Sequence, residues 1–311
     1  MNFRKINILV LTLALMEISS TALLQAIETP DIEEPGIVQP DIAGDRLLVA
    51  AKMDDITEAR SALAADADIN YAGKYSDLHT EITDLDDAGE DEENETTNPL
   101  LEAASAGHSA MVQFLLEHHA NVNWASSDGH TALMKAAANQ HPEIIKLLLK
   151  NGADPNIQTN ERADCYGETA LMHSNDAVTS KAILDHALPT NPVNVNLRDH
   201  DGNTALTLAI ISIEPEIVAL LLAQGANPNE PDAENKPPLI EAITVPFSDD
   251  TTNDYSIDPA ISAQIKSIIK LLLGHGANPN TVYNGETALE WATLSFKPEI
   301  VELLLAKGAN P

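Results

Sequence analysis

The sequence predicts an all-α solenoid of stacked helix-turn-helix units joined by β-hairpin-like loops, and three recurrences predict it. The phrase Gly152-Ala153-Asp154-Pro155-Asn156 returns in near-identical form at 225–229, at 276–280 and, shortened, at 308–311, each time after an apolar run. Three of those runs open on a proline followed by glutamate, at Pro142, Pro215 and Pro298, and Thr-Ala-Leu stands ahead of them at 131–133, 204–206 and 287–289. The interval is about 33 residues where nothing is inserted, as from His119 to Gly152, which is the period of a repeat array rather than of a single globule.

Each recurring position has a physical reason. Proline at a first helical position gives up an amide that would be unpaired there, and the glutamate beside it faces the positive end of the helix. The leucines that follow supply one buried face. Glycine then provides the left-handed residue that ends the helix, and Asx-Pro-Asn begins a turn-rich connection. Thr131, Thr204 and Thr287 are placed to cap the next helix.

Thr-Ala-Leu, Pro-Glu-Ile, Leu-Leu-Leu and Gly-Ala-Asx-Pro-Asn in this order resemble the ankyrin repeat, written Thr-Pro-Leu-His, a Gly-His turn, Val-Leu-Leu and Gly-Ala-Asx-x-Asn. The resemblance implies helix pairs with projecting hairpins, a concave face lined by hairpin tips and first helices, macromolecular partners and no catalysis. The chain departs from that pattern at the histidine, whose place is taken by Leu101, Met134, Met172, Thr207, Ile240 and Glu290. The hydrogen bonds of that histidine are therefore not carried over.

In chain order, 46–70 reads as a capping helix pair without a hairpin signature, and 71–97 as an acidic, disordered insertion. Six units follow at 98–124, 125–157, 158–197, 198–229, 230–280 and 281–311, the fifth split by an insertion at 245–260. The third departs most. Thr169-Ala170-Leu171-Met172 keeps its first-helix signature, but the second helix is shortened and Pro189 to Asn196 replaces the glycine exit. With 44% hydrophobic and only 4% aromatic residues, the core is expected to be leucine, isoleucine and alanine.

The N-terminal 26 residues read as a secretory signal peptide: Arg4 and Lys5, an apolar run from Ile6 to Met16 too short to cross a ~30 Å hydrocarbon core, and small residues to Ala22 or Ala26 as cleavage sites. Residues 27–45, with six acids, no base and Pro30, Pro35 and Pro40, read as an extended linker. The remainder is expected to be exported, periplasmic or secreted, with no membrane span after cleavage.

A formal net charge of −31 excludes nucleic acid and anionic lipid as partners, since both are bound by neutralising phosphates with Lys and Arg. A basic protein partner fits the charge. Asp84 to Glu95 places carboxylates and Gly89 as a calcium loop would, but Ala88 and Asp91 stand where an oxygen ligand and an apolar residue are needed. The segment is read as a solvated acidic loop with weak cation association. No histidine pair has zinc-motif spacing, so no metal, cofactor or catalytic residue is assigned. Cys165 with His173 could form a nucleophile pair, but the sequence shows no third member, and Cys165 is read as a loop thiol.

The expected partner-binding positions flank the hairpin tips: Trp124, Ser127, Asp128, His130 and Asn139; Tyr166 and Glu168; His200, Asp201 and Asn203; Tyr283, Asn284 and Glu286. Trp124 stands out as a large aromatic outside any helix, the residue type that supplies most energy at interface centres. Trp291 reads as core. The last unit ends without a polar cap, so self-association through the C-terminal repeat is expected. The leading function is a non-enzymatic protein-binding scaffold. The alternatives are a cation-binding or enzymatic protein built on the acidic insertions, and a host-directed effector.

Overall fold

The computed structural model describes residues 42–74, 96–245, 259–295 and 297–310. The signal peptide, most of the linker, the calcium-like loop and the centre of the second insertion lie outside these residues.

Two helices, α1 (Ile42–Lys52) and α2 (Ile56–Ala64), form the N-terminal pair. The pairs α3 (Pro99–Ser105) with α4 (Ser109–Glu117) and α5 (Ala132–Ala138) with α6 (Pro142–Lys150) follow. A single helix, α7 (Ala177–His186), marks the third unit, and with ten residues against nine in α4, α6, α9 and α13 it is not the shortened second helix the sequence leads one to expect. Then come α8 (Ala205–Ile211) with α9 (Pro215–Ala223), α10 (Pro238–Thr244) with α11 (Pro259–Gly274), and α12 (Ala288–Leu294) with α13 (Pro298–Ala306). First helices pack on first helices (α1 on α3, α3 on α5, α8 on α10, α10 on α12), and second helices form a parallel row from α4 through α6, α7, α9 and α11 to α13. Leucine, isoleucine and alanine fill the space between the rows. Leu101, Met134, Thr207 and Ile240, which replace the family's histidine, are all buried in it.

The expected threonine caps form: Thr131, Thr204 and Thr287 accept from the amides of Met134, Thr207 and Glu290, at 3.3, 3.3 and 3.2 Å. Two strand pairs are short. β1 (Gly73–Lys74) pairs antiparallel with β2 (Thr96–Thr97), so the first acidic insertion springs from a hairpin tip. β3 (Val282–Tyr283) pairs with β4 (Glu286–Thr287) around Asn284 and Gly285, both at positive φ as a two-residue hairpin demands.

The first helix expected at 169–172 is absent: 170–173 make turns only. The reason is length. Asp176, which caps α7, follows Thr169 by seven residues, whereas His141 follows Thr131 and Glu214 follows Thr204 by ten. Ser174 closes the short turn, its hydroxyl donating to Leu171 O at 2.7 Å and meeting Ser180 Oγ at 2.8 Å. Trp291 packs against the core as expected but is only half-buried, with its indole N–H donated to Tyr283 O at 3.2 Å.

The exit phrases are tied to one another by asparagine. In the exits at Asp68, Asn121, Asp154, Asn194, Asn227 and Asn278 the first Asx side chain accepts from the backbone two residues on, as Asn227 Oδ1 does from Asn229 N at 3.0 Å. The second Asn then reaches the next unit. Asn70, Asn123, Asn156, Asn196, Asn229 and Asn280 accept at Oδ1 from the amides of Asn121, Asp154, Asn194, Asn227, Asn278 and Asn310, all at 2.7 or 2.8 Å. Four of the six also donate from Nδ2 to the helix-ending glycine carbonyl of the next unit, at Gly152, Gly225, Gly276 and Gly308. Asn156 donates to Pro192 O instead, at 2.9 Å, so the relay also crosses the exit where Pro189 to Asn196 replaces the glycine phrase.

Three outcomes are expected. Asn229→Ala removes two inter-unit hydrogen bonds and lowers unfolding free energy in urea by about 1–2 kcal/mol, where Gln113→Ala on an exposed helix face changes it by less than about 0.5 kcal/mol. His119 holds φ +66° and is exposed where four later exits have glycine, so His119→Gly raises stability by roughly 0.5–1 kcal/mol in the same measurement. Lys297 donates to Ile243 O at 2.6 Å, and burial lowers its pKa to about 8. From about pH 8 to 10.5 the unfolded chain holds a proton there that the folded chain has lost, so stability rises with pH across that window. Relative to Lys297→Met, which has no titrating group there, the unaltered protein therefore gains about 1–2 kcal/mol of stability between pH 7 and pH 10 once partial exposure is allowed for.

Candidate functional site

The hairpin tips stand edge to edge because each is stitched to the next through backbone. Asn160 N donates to Asp128 O, His200 N to Tyr166 O and Ala233 N to Asp201 O, at 2.9, 3.0 and 2.9 Å. The approach is close enough to require glycine at the tip: a Cβ on Gly129 would lie 2.7 Å from Asn160 N. Three tips share one length. Ser126, Asp199 and Asp232 each donate their backbone N–H to the carbonyl four residues on, at His130, Asn203 and Lys236. The third unit's tip runs instead from Thr159 to Glu168, closed by Thr159 N to Glu168 O at 3.0 Å, five residues longer. Within it Thr159 Oγ1 donates to Cys165 O, which folds the extra residues back on the stack.

That longer tip delivers Cys165 between two histidines. Its Sγ lies 3.7 Å from His130 Nε2, on the preceding tip, and 3.7 Å from His173 Nε2, on the turn that replaces the missing first helix. The far nitrogen of each ring faces a carboxylate. His130 Nδ1 is 2.6 Å from Asp128 Oδ2, and His173 Nδ1 is 3.6 Å from Glu168 Oε2. Both imidazoles are 13% exposed, so the cluster sits just under the surface.

Its electrostatics follow from that placement. Burial pushes Asp128 up, but hydrogen bonds from His130 and Ser126 outweigh it and hold the carboxyl far below the usual range. Burial lowers His173 to about 4, so its ring is neutral at pH 7. Burial and then Glu168 raise the Cys165 thiol. Burial and then Asp199 raise Glu168 itself.

Of the positions expected from sequence, Asp128, His130 and Glu168 come together here. Tyr166 and His200 form a second pair, their rings stacked with centroids 4.9 Å apart. Ser127 is occupied with the preceding tip, exchanging hydrogen bonds with Thr96 at 2.9 and 3.1 Å. Trp124 is half-buried in the loop after Asn123, and Asn139 is exposed, its amide donating to Ser105 Oγ at 3.2 Å. Asp201 is exposed at its tip, while Asn203 is held by Asp199, N to Oδ1 at 2.7 Å. Tyr283, Asn284 and Glu286 lie on the last hairpin. The convergence of His130, Cys165 and His173 was beyond sequence spacing, because three residues 35 and 8 apart match no local motif. The signal available was the extra length of the one tip that carries the cysteine.

The comparisons with known proteins agree with this architecture. Ankyrin-repeat family models match residues 47–159 as three copies, and again 201–233 and 284–311. The putative ankyrin repeat protein YahD of Escherichia coli (strain K12) is 32% identical over 211 residues, covering 67% of this chain and 95% of that protein. The potassium channel AKT2/3 of Arabidopsis thaliana is 29% identical over 202 residues, 63% of this chain, but the match spans only 21% of the channel. An ankyrin repeat domain from Acinetobacter baumannii superposes with a TM-score of 0.57 at 26% identity, covering 68% of this chain and 98% of that one. With repeats matched on both sides of the irregular unit and nearly the whole of a bacterial relative aligned, the chain belongs to the ankyrin-repeat family.

Proposed function

We propose that this chain is an exported, non-enzymatic scaffold that binds a basic protein across its hairpin tips and concave face. The observation that carries the reading is the backbone-stitched row of tips, which presents the stacked Tyr166 and His200 in a held arrangement and so lowers the ordering cost of binding, with half-buried Trp124 in the loop after Asn123. The excess of 48 acids over 17 bases supplies a long-range attraction for a basic surface. A non-enzymatic role is supported by Cys165, whose pKa moves up, opposite to what an activated nucleophile requires. Export rests on the N-terminal segment, and a mature N-terminus at Leu23 or Ile27, read by mass spectrometry of the periplasmic and secreted fractions, checks it. Leu294 and Leu305, 58% and 45% exposed, belong to the last unit and support self-association at that end. Sedimentation of a strict monomer at high micromolar concentration would remove that part.

The binding test uses the chain without its first 26 residues as bait against envelope and medium proteins. Trp124, Tyr166 and Tyr283 changed together to Ala are expected to lower recovery of the captured protein at least 10-fold, and raising salt from low to about 0.5 M to weaken capture by the unaltered chain. Equal recovery by both baits argues against the tip face.

A further inference from the structure

We propose that His130 Nε2, Cys165 Sγ and His173 Nε2 form a three-ligand site for a zinc-class divalent ion. The three donor atoms lie within 4.8 Å of one another, and each sulfur-to-nitrogen separation is 3.7 Å. Tetrahedral zinc with Zn–N of about 2.0–2.1 Å and Zn–S of about 2.3 Å sets its nitrogen and sulfur ligands about 3.5 Å apart, so the side chains stand close to coordinating positions already.

A second observation points the same way. With Asp128 on His130 Nδ1 at 2.6 Å, the proton of that ring belongs on Nδ1, which leaves the Nε2 lone pair directed at Cys165. Glu168 Oε2 faces Nδ1 of His173 at 3.6 Å, beyond hydrogen-bond distance, so there only the nearby carboxylate's field favours the same tautomer. Two lone pairs thus converge on one thiol that has a single hydrogen to give. A divalent ion resolves this by taking both lone pairs and the thiolate, the thiol proton passing to solvent. Carboxylates on the far nitrogens of ligating imidazoles orient the rings and raise their basicity, as in carboxylate–histidine–zinc arrangements. Two imidazoles and one thiolate suit zinc, and three protein donors leave the fourth corner for water.

The site is distinct in sequence from the acidic insertions, which hold no cysteine or paired histidines. It is independent of the scaffold reading: either can fail alone. Its elements come from three places in the chain, the regular tip at 126–130, the lengthened tip at 159–168 and the turn at 170–173, so it exists only because the third unit is irregular.

The test is titration of the reduced, chelator-treated full-length protein with Co(II), followed by displacement with Zn(II). One equivalent of Co(II) is expected to give a thiolate-to-cobalt charge-transfer band in the near ultraviolet and visible bands of four-coordinate intensity, both lost on adding one equivalent of Zn(II). Cys165→Ser abolishes the charge-transfer band, His173→Gln weakens Zn(II) affinity at least 100-fold, and Asp128→Asn weakens it about 10- to 100-fold. Circular dichroism of the metal-free variants checks that they fold. If Cys165→Ser does not fold, the spectrum of the unaltered protein decides alone. No charge-transfer band at one equivalent, or Zn(II) affinity unchanged in folded Cys165→Ser, overturns the proposal.

Discussion

Every feature described above depends on one interaction, the asparagine side chain that ends each exit phrase and bonds the backbone of the next. A helix pair of seven and nine residues cannot hide its apolar face alone, and hydrophobic contact between pairs does not by itself fix their register. The asparagine does, because a 2.7–2.8 Å bond from a backbone amide to Oδ1 tolerates little sliding. It sets the phase at which one unit follows another, and the hairpin tips, at the opposite end of each unit's loop, inherit it. Glycine at the exit serves the same relay, since its carbonyl receives the asparagine's Nδ2 in four of the six cases.

The third unit shows what that constraint allows. It has lost a first helix and the glycine exit, and its tip has gained five residues, yet Asn156 and Asn196 keep it in step with both neighbours. Irregularity is thereby confined to one place. The lengthened tip has nowhere to go but over the gap in the first-helix row between α5 and α8, and this brings a cysteine against histidines from the tip before it and the turn after it. The first acidic insertion behaves differently. It leaves from the paired ends of β1 and β2 at a tip, so its emergence does not disturb the relay from Asn70 to Asn121.

Much of this was legible in the sequence because it is local. Proline, threonine and glycine announce helix ends through their own backbone chemistry, which is why the caps at Thr131, Thr204 and Thr287 are found where expected. The first helix of the third unit was misread for the opposite reason: Thr-Ala-Leu-Met carries the right residues, but whether they coil depends on the distance to Asp176, and the three missing residues decide it. Trp291 packs on the core as its helical position implies, but helical position says nothing about the backbone acceptor, Tyr283 O, that its indole N–H meets. His130, Cys165 and His173 were invisible as a group since they are neighbours only once adjacent tips are stitched. The expectation that Cys165 lacked a third partner reflects the same limit: that partner sits 35 residues upstream, on another unit.

The central claim is that the relay, rather than the regularity of each unit, holds the stack in register through its irregular centre. Native-state hydrogen exchange on Asn156→Ala tests it most directly. The account predicts faster exchange at Asn194 N, throughout 159–174 with its Asn160 amide, and at the His200 amide that stitches the next tip, with α3, α4, α12 and α13 unchanged. Exchange that speeds up only at Asn194, with the tip amides as protected as before, would contradict it and leave apolar packing as the source of register.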